Sequence, residues 1–412
     1  MAMDSQPVKS AAAFKSANAP WNPLRCSAAL PVPLLVMAKV IALCLLLTNH
    51  VRLLPDPFLP FIPGLDVMVP PAVFRIALQT VFVTSALALL FNRSVRIACL
   101  ALGGSILLGV IASKAYYGNN KTFCGLILFF TGLYETGGTP WMHRAQLIVV
   151  YLGAGLNKLL DPDWQSGLFF EHWSSMRLKQ PVYLWVSRTL PPLLAGKIMS
   201  WMTIGVELGL SAAFLVRRAW PWAIWVGILF QSGLLLFTGT TFTMFFYGMQ
   251  ASMLAFAEWP RSPLAVIYDA DCGFCNRSRR WMERFDLERM LAWHPYRSEI
   301  GAGIGARFGI GDEAFSRSLH LVVEGRVYKG FRAFQMMLLY NPVTYLAMAA
   351  LIAAPRGEAP LYRRIVVSAL LAFFFPLFRP IGEAVYDVVA RNRHKLTANS
   401  TCEVEPGSKA PA

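Results

Sequence analysis

Charge is what this chain has least of. Only 15% of its 412 residues are Asp, Glu, Lys or Arg, against about a quarter in soluble proteins. Together with 56% hydrophobic residues and a mean hydropathy of +0.47, that scarcity excludes an ordinary soluble protein and predicts a polytopic membrane protein. Acidic residues are scarcer than basic ones, 23 against 38. The excess points to no nucleic acid, because no basic stripe with interleaved aromatics accompanies it and cytoplasmic loops of membrane proteins are rich in Lys and Arg. Cysteines number seven, an odd count that fits no secreted disulfide framework. Cys44, Cys99 and Cys124 lie in apolar runs, where a thiol behaves as a small hydrophobe. A small-residue cleavage site is also lacking after the first apolar run, so residues 1–30, with Lys9, Lys15 and Arg25, are expected to be a disordered cytoplasmic tail before an uncleaved helix.

The charge that is present is unevenly placed. Residues up to Ser262 hold 19 Lys/Arg and 9 Asp/Glu, whereas the last 150 residues hold 19 and 14. Charge density therefore doubles near "EWPRSPLAV", where Pro260 and Pro263 stop a helix. We expect a transmembrane domain over 31–260, a small α/β domain over 264–396 and a disordered tail over 397–412. About eight spans are expected, at 31–50, 72–92, 96–114, 122–136, 144–160, 195–216, 219–238 and 243–259. With Arg93, Arg96, His143, Arg144, Arg217 and Arg218 on cytoplasmic loops, the positive-inside rule leaves both termini in the cytoplasm; the opposite loops carry Arg52, Lys114 and Lys121. The expected location is a bacterial inner (plasma) membrane, with membrane lipid as a partner.

Ionisable residues inside apolar runs are costly and ask for an explanation. Lys158 ends the fifth run, "YLGAGLNKLLDPDW", and Glu207 lies mid-way along the sixth, "MTIGVELGLSAAF". They can form a buried ion pair between two helices, or the lysine can serve as a base, since burial disfavours an amine's charged form. The segment "YLGAGLNKLLDPDWQSGLFF" (151–170), with its Lys and its acidic-Trp-x-x-Gly tail, resembles the signature of the HTTM domain, the membrane module shared with vitamin K-dependent gamma-carboxylase. The resemblance spans about 30–260. It implies Lys158 as the base that activates a reduced quinone, with Glu207, Lys121 and Trp164 as substrate-binding residues. It departs from the family at Lys121, in "NNKTFCGLILFF", where the carboxylase carries His.

The stretch "DADCGFC" (269–275) opens the more polar part. The apolar, β-branched run "LAVIY" before it predicts a buried strand, and Trp281, Met282, Phe285 and Leu287 after it recur at helical spacing. A Cys-x-x-Cys between strand and helix places Cys272 at a helix start, where free N–H groups and the dipole favour a thiolate. Cys275, one turn on, can resolve a mixed disulfide. Arg277, Arg279 and Arg280 add positive field; Asp269 and Asp271 oppose it, and either can relay protons. Zinc would need two further ligands, while Cys402, His294 and His320 are isolated. Downstream, "MLAWHPYRSE" predicts a second strand, "SLHLVVEGRVYKG" a hairpin about a Glu-Gly turn, and "GFRAFQMMLLY" a helix. Two apolar stretches, 342–355 and 365–378, are short for spans and suggest helices that dock this domain on the leaflet or on the membrane domain.

The order β-α-β, hairpin, α is that of a small thioredoxin-like sheet. The blocks "YDADCGFC", "HLVVEGRVYKGFRAF" and "VYDVVARNRHKL" (385–396) resemble the DCC family of thiol-disulfide oxidoreductase-like proteins over about 264–396. The resemblance implies an enzyme with Cys272 as nucleophile, Cys275 as resolving thiol, and Asp269 and Asp271 flanking them. No Pro directly precedes "SLHLVV", so peptide substrates are not implied. The expected function is a membrane-anchored dithiol oxidoreductase that exchanges electrons with a partner protein or small thiol. It needs no cofactor for that exchange and is open to coupling with a quinone-like lipid. The alternatives are a non-redox transporter or lipid-binding scaffold, and a carboxylase-like enzyme with Lys158 as base.

Overall fold

The long apolar runs form helices, and prolines mark several of their starts. The structure is a computed structural model that describes residues 22–26, 30–54, 71–112, 116–135, 137–239, 243–353 and 360–393. The expected tails, Lys114 and Cys402 lie outside the described residues, apart from the short piece at 22–26 and Leu30. The first eight helices labelled here are α1 (Val32–Leu47), α2 (Pro71–Leu90), α3 (Val95–Ala112), α4 (Asn119–Leu133), α5 (Trp141–Leu160), α6 (Leu194–Leu215), α7 (Trp220–Thr238) and α8 (Thr243–Ser252). Between α5 and α6 lie short helical turns, a π-helical turn and the helix Pro181–Thr189.

Each of the eight expected spans thus contains a helix, but fewer are long and apolar enough to cross a membrane. Among the described residues four are: Ala72–Leu90, Val95–Ala112, Leu194–Leu215 and Arg217–Thr238. The total reaches six if two bent pairs each count as one span. Helix α1, at 16 residues, is shorter than a bilayer requires. It is instead enclosed by its neighbours, with Leu34 to Ala42 almost wholly buried. Its one charge, Lys39, is fully buried and donates to the carbonyls of Pro23 (2.9 Å) and Arg25. Beside it the Cys26 N–H donates to Glu288 at 2.6 Å, a link from the start of the chain to the later, more polar part.

That later part holds a four-stranded sheet in the order β2-β1-β3-β4. Strand β1 (Leu264–Tyr268) leads through α9 (Gly273–Phe285) to β2 (Leu291–Pro295), which pairs with it in parallel. Two helices follow, α10 (Glu299–Phe308) and α11 (Asp312–Arg317), in a stretch where the sequence reading placed no element. Ser298 caps α10 by accepting from the Gly301 N–H. Strand β3 (His320–Val323) runs antiparallel to β1 and turns into β4 (Arg326–Lys329). The Glu324-Gly325 turn has φ of 44° and 82°, the two-residue geometry whose twist suits a hairpin. Leu264, Val266, Leu321 and Val323 pack on Met282, Ala333 and Met337 on one face of the sheet, and Ile267 meets Tyr296 and Phe315 on the other.

The chain then continues through α12 (Gly330–Leu339), α13 (Pro342–Ala353), α14 (Pro360–Phe374) and α15 (Arg379–Asn392). Helix α12 bends by 80° into α13, and Leu361–Phe374 bends by 67° into the segment from Pro376. Leu346, Ala349, Ile352, Ala353 and Val367 join the same apolar core as α1, Phe246 and Phe256. The first short apolar stretch is therefore buried against the helical region. Helix α15 returns to the sheet: a Cβ on Gly382 would enter the Phe331 ring, so only glycine lets α15 approach the start of α12 this closely.

Candidate functional site

Strand β1 ends at Tyr268, and the backbone turns into α9 through Asp269-Ala-Asp. The Asp269 carboxylate accepts the Asp271 N–H at 3.1 Å, and Asn276 donates to the Ala270 carbonyl at 2.6 Å. These bonds fix the turn that sets Cys272 at the N-cap of α9, where its sulfur accepts the Cys275 N–H at 3.4 Å. Both cysteines are free thiols; Cys272 is 1% exposed and Cys275 half-buried.

The two sulfurs divide one proton unequally. The hydrogen bond from the Cys275 thiol is the largest influence on Cys272 and outweighs burial; with the Cys275 N–H and the nearby Arg393 guanidinium it pushes the Cys272 thiol down to about 6. Cys275 moves the other way, pushed up by its bond to Cys272 and by burial. The surroundings therefore favour charge on Cys272 over Cys275, while Cys275 is the more accessible. A disulfide reaches the Cys272 sulfur only when the groups that cover it yield.

Arg393 comes from the last turn of the described chain, 118 residues from Cys275. Its Nη1 lies 3.9 Å from the Cys275 sulfur and its Nη2 lies 3.6 Å from Asp269, and it also donates to the Ser316 carbonyl. Both members of the Arg393–Asp269 pair are about nine-tenths buried. Tyr386, one face earlier on α15, accepts the Leu319 N–H at 3.0 Å, and Glu383 accepts the Phe331 and Arg332 N–H groups at 3.1 and 3.2 Å. Helix α15 is thereby tied to both β3 and α12. A cavity of about 50 Å³ beside Cys275 is lined by Tyr268, Asp269, Phe274, Leu319, Tyr386 and Arg393.

The sequence expectations separate here. Asp269 lies at the cysteines; Asp271 does not, since its exposed side chain pairs with Arg297 at 2.8 Å. The expected field of Arg277, Arg279 and Arg280 is replaced by that of Arg393. Arg279 instead stacks on Tyr268 at 5.6 Å and pairs with Glu283. Arg393 lies in the block 385–396, and nothing local in the sequence ties that block to the thiols. Among the described residues no three His, Cys, Asp or Glu side chains converge as a metal would require. His320 is buried on β3, its Nδ1 at 2.9 Å from the Ser318 carbonyl.

The second polar cluster lies between α5 and α6. Lys158 meets both Glu207 oxygens, at 2.9 and 2.8 Å, and donates to the Ala154 carbonyl at 3.3 Å. Trp164 covers the ammonium at 5.1 Å and is itself stacked on Phe169. Gly155 makes the approach possible, because a Cβ there would stand 2.7 Å from Leu208. Lys121 is not part of this cluster: it donates to the Tyr116 carbonyl at 2.6 Å and lies over the Tyr116 ring.

Residues 266–367 match the family described as DCC1-like thiol-disulfide oxidoreductase. The match takes in both cysteines and the sheet from Val266 onward, and ends inside α14; it includes neither the helices before residue 266 nor Arg393. No solved structure matches the chain.

Proposed function

We propose that this chain is a membrane-embedded thiol-disulfide oxidoreductase. The observation that carries the proposal is the helix-start pair Cys272 and Cys275, with one sulfur's charge favoured by the other's hydrogen bond and by a buried arginine. The family match over 266–367 supports the same chemistry. The β-α-β unit followed by a hairpin and a helix supports a thioredoxin-like sheet beneath it. Four to six helices of spanning length support the membrane placement. The Arg217–Glu258 pair ties the α6–α7 junction to the segment that leads into β1, and a cytoplasmic reading of that basic junction supports a reducing side for the cysteines.

In the reducing direction, the Cys272 thiolate attacks one sulfur of a substrate disulfide. A Cys272–substrate bond forms, the substrate S–S bond breaks, and the other sulfur leaves as a thiolate. Cys275 then gives up its proton and attacks the Cys272 sulfur. The intramolecular disulfide forms, the second substrate thiolate leaves, and two electrons have passed to the substrate. Asp269 lines the small cavity with Cys275, which supports it as the acceptor of the Cys275 proton, and Arg393 beside Cys275 supports negative charge at the sulfurs. The cleft of about 50 Å³ is far below the several hundred Å³ of an enclosed ligand site. The substrate disulfide, of a small thiol or a partner protein, therefore approaches from the surface and reaches Cys272 once the groups that cover it yield.

No step runs through a quinone at Lys158. All three of that lysine's donors are occupied by Glu207 and the Ala154 carbonyl, so the pair suits a link between α5 and α6 better than a base. The test is reduction of a synthetic disulfide by the purified chain, with Cys272→Ser and Cys275→Ser beside it. Wild-type activity no greater than that of the double variant would refute the proposal. Cys275→Ser is expected to trap a mixed disulfide on Cys272; trapping only in Cys272→Ser would exchange the two roles.

A further inference from the structure

A cavity of about 810 Å³ lies away from the thiols, between the end of the helical region and the α12–α14 segment. It falls within the size range of sites for small amphiphiles, ~300–1,000 Å³. Its wall is chiefly aromatic and aliphatic, with Trp225, Phe246, Tyr345 and Phe374 prominent. Its charged groups are few and mostly of one sign: Arg217, Arg218 and Arg326 against Glu258. Arg217 pairs with Glu258 at 3.0 Å, while Arg218 and Arg326, both exposed, have no ion-pair partner among the described residues. One buried donor is also unmatched: the Trp259 indole N–H has no acceptor among the described residues, although Tyr340 and Tyr345 hold its ring at 5.8 and 6.3 Å.

An apolar chamber, two uncompensated guanidinium groups in its wall and an unused N–H donor together describe the complement of an anionic amphiphile. Arg217 and Arg218 sit at the junction of α6 and α7, two helices of spanning length, which is where a leaflet's head groups lie. We propose that this cavity binds one anionic phospholipid. An acyl chain fills the aromatic chamber, the phosphate lies at Arg218 and Arg326, and Trp259 donates to a phosphate or ester oxygen. The lipid then bridges α7 to the β3–β4 hairpin that carries Arg326, and so couples the helical region to the redox sheet. The site rests on the membrane placement proposed above but not on the thiol chemistry, and carbonate extraction of membranes tests that placement separately.

The experiment is native mass spectrometry of the full-length protein in detergent, titrated in parallel with phosphatidylglycerol, phosphatidylcholine and oleate of matched chain length. One phosphatidylglycerol per chain is expected to be retained, preferred over phosphatidylcholine by about fivefold for each unpaired arginine. Arg218→Gln with Arg326→Gln is expected to erase the preference, and Ile228→Trp, which fills the chamber, to lower retention of both lipids. The two glutamine changes are on exposed side chains and leave the core intact, so they carry the test if the tryptophan variant fails to fold. Equal retention of the two phospholipids, a preference that survives the double substitution, or oleate held as firmly as phosphatidylglycerol would overturn the proposal.

Discussion

Lys158 and Glu207, between α5 and α6, meet at 2.8 and 2.9 Å, and the remaining lysine donor goes to a carbonyl. Asp269 and Arg393, beside the cysteines, stand 3.6 Å apart, and the same guanidinium lies 3.9 Å from a sulfur. Both pairs are largely buried and both join distant parts of the chain. The first is saturated, so its charges hold helices together. The second sets its guanidinium beside a sulfur, where the proposed chemistry would use its charge. What distinguishes the two pairs is the neighbour that each cation meets, a carbonyl beside Lys158 and a sulfur beside Arg393, not burial.

The comparison breaks most visibly at the sulfurs. Cys272→Ser is expected to take disulfide reduction to the uncatalysed background while leaving the fold intact, as checked by stopped-flow reduction of a chromogenic disulfide. At the saturated pair the effect falls on stability. Glu207→Ala leaves a buried cation without its partner and is expected to cost about 3–5 kcal/mol, whereas Lys158→Met with Glu207→Met is expected to cost far less. Thermal unfolding of the detergent-solubilised protein checks both, and thiol reactivity is expected to be unchanged in the double variant.

The reactive pair is sharpened by pH. With its thiol held down to about 6, Cys272 is mostly thiolate at pH 7 and loses that form as pH falls through 6. Removing a cation that lowers this value raises it, so Arg393→Met is expected to move the midpoint of iodoacetamide reactivity upward. It is expected to slow alkylation at pH 5, where the thiolate is already the minor form. Arg393→Lys should restore part of the rate, which loss of packing alone would not allow. The smallest effect is expected at the exposed Asp271–Arg297 pair. Asp271→Asn should shift stability by less than about 1 kcal/mol, as exposed pairs do, and leave the alkylation profile in place.

Much of this was legible along the chain because it depends on near neighbours. The strand "LAVIY", the helix-start cysteines, the Glu324-Gly325 turn and the meeting of Lys158 with Glu207 follow from periodicity, turn chemistry and the cost of unpaired charge. Three things were not legible. Arg277, Arg279 and Arg280 are closest to the cysteines in sequence, yet helical geometry points Arg279 to Tyr268 and Glu283 while a residue from α15 reaches the sulfurs. Lys39, inside an apolar run, gave no sign that the carbonyls of Pro23 and Arg25 would satisfy it. The number of apolar runs also overstated the number of helices long and apolar enough to cross a membrane, because α1, α4 and α8 form helices of only 16, 15 and 10 residues.

The amino-acid order by itself determined the apolar helices, the change to a charged, stranded segment near residue 262 and the dithiol at a helix start. Each follows from interactions within a few residues or from the scarcity of charge. Only the tertiary structure decided which arginine faces the thiols, which carboxylate stays with them, and that α13 rejoins the first core. Those outcomes depend on where α15 and α13 pack, and packing is set by contacts between residues a hundred or more positions apart.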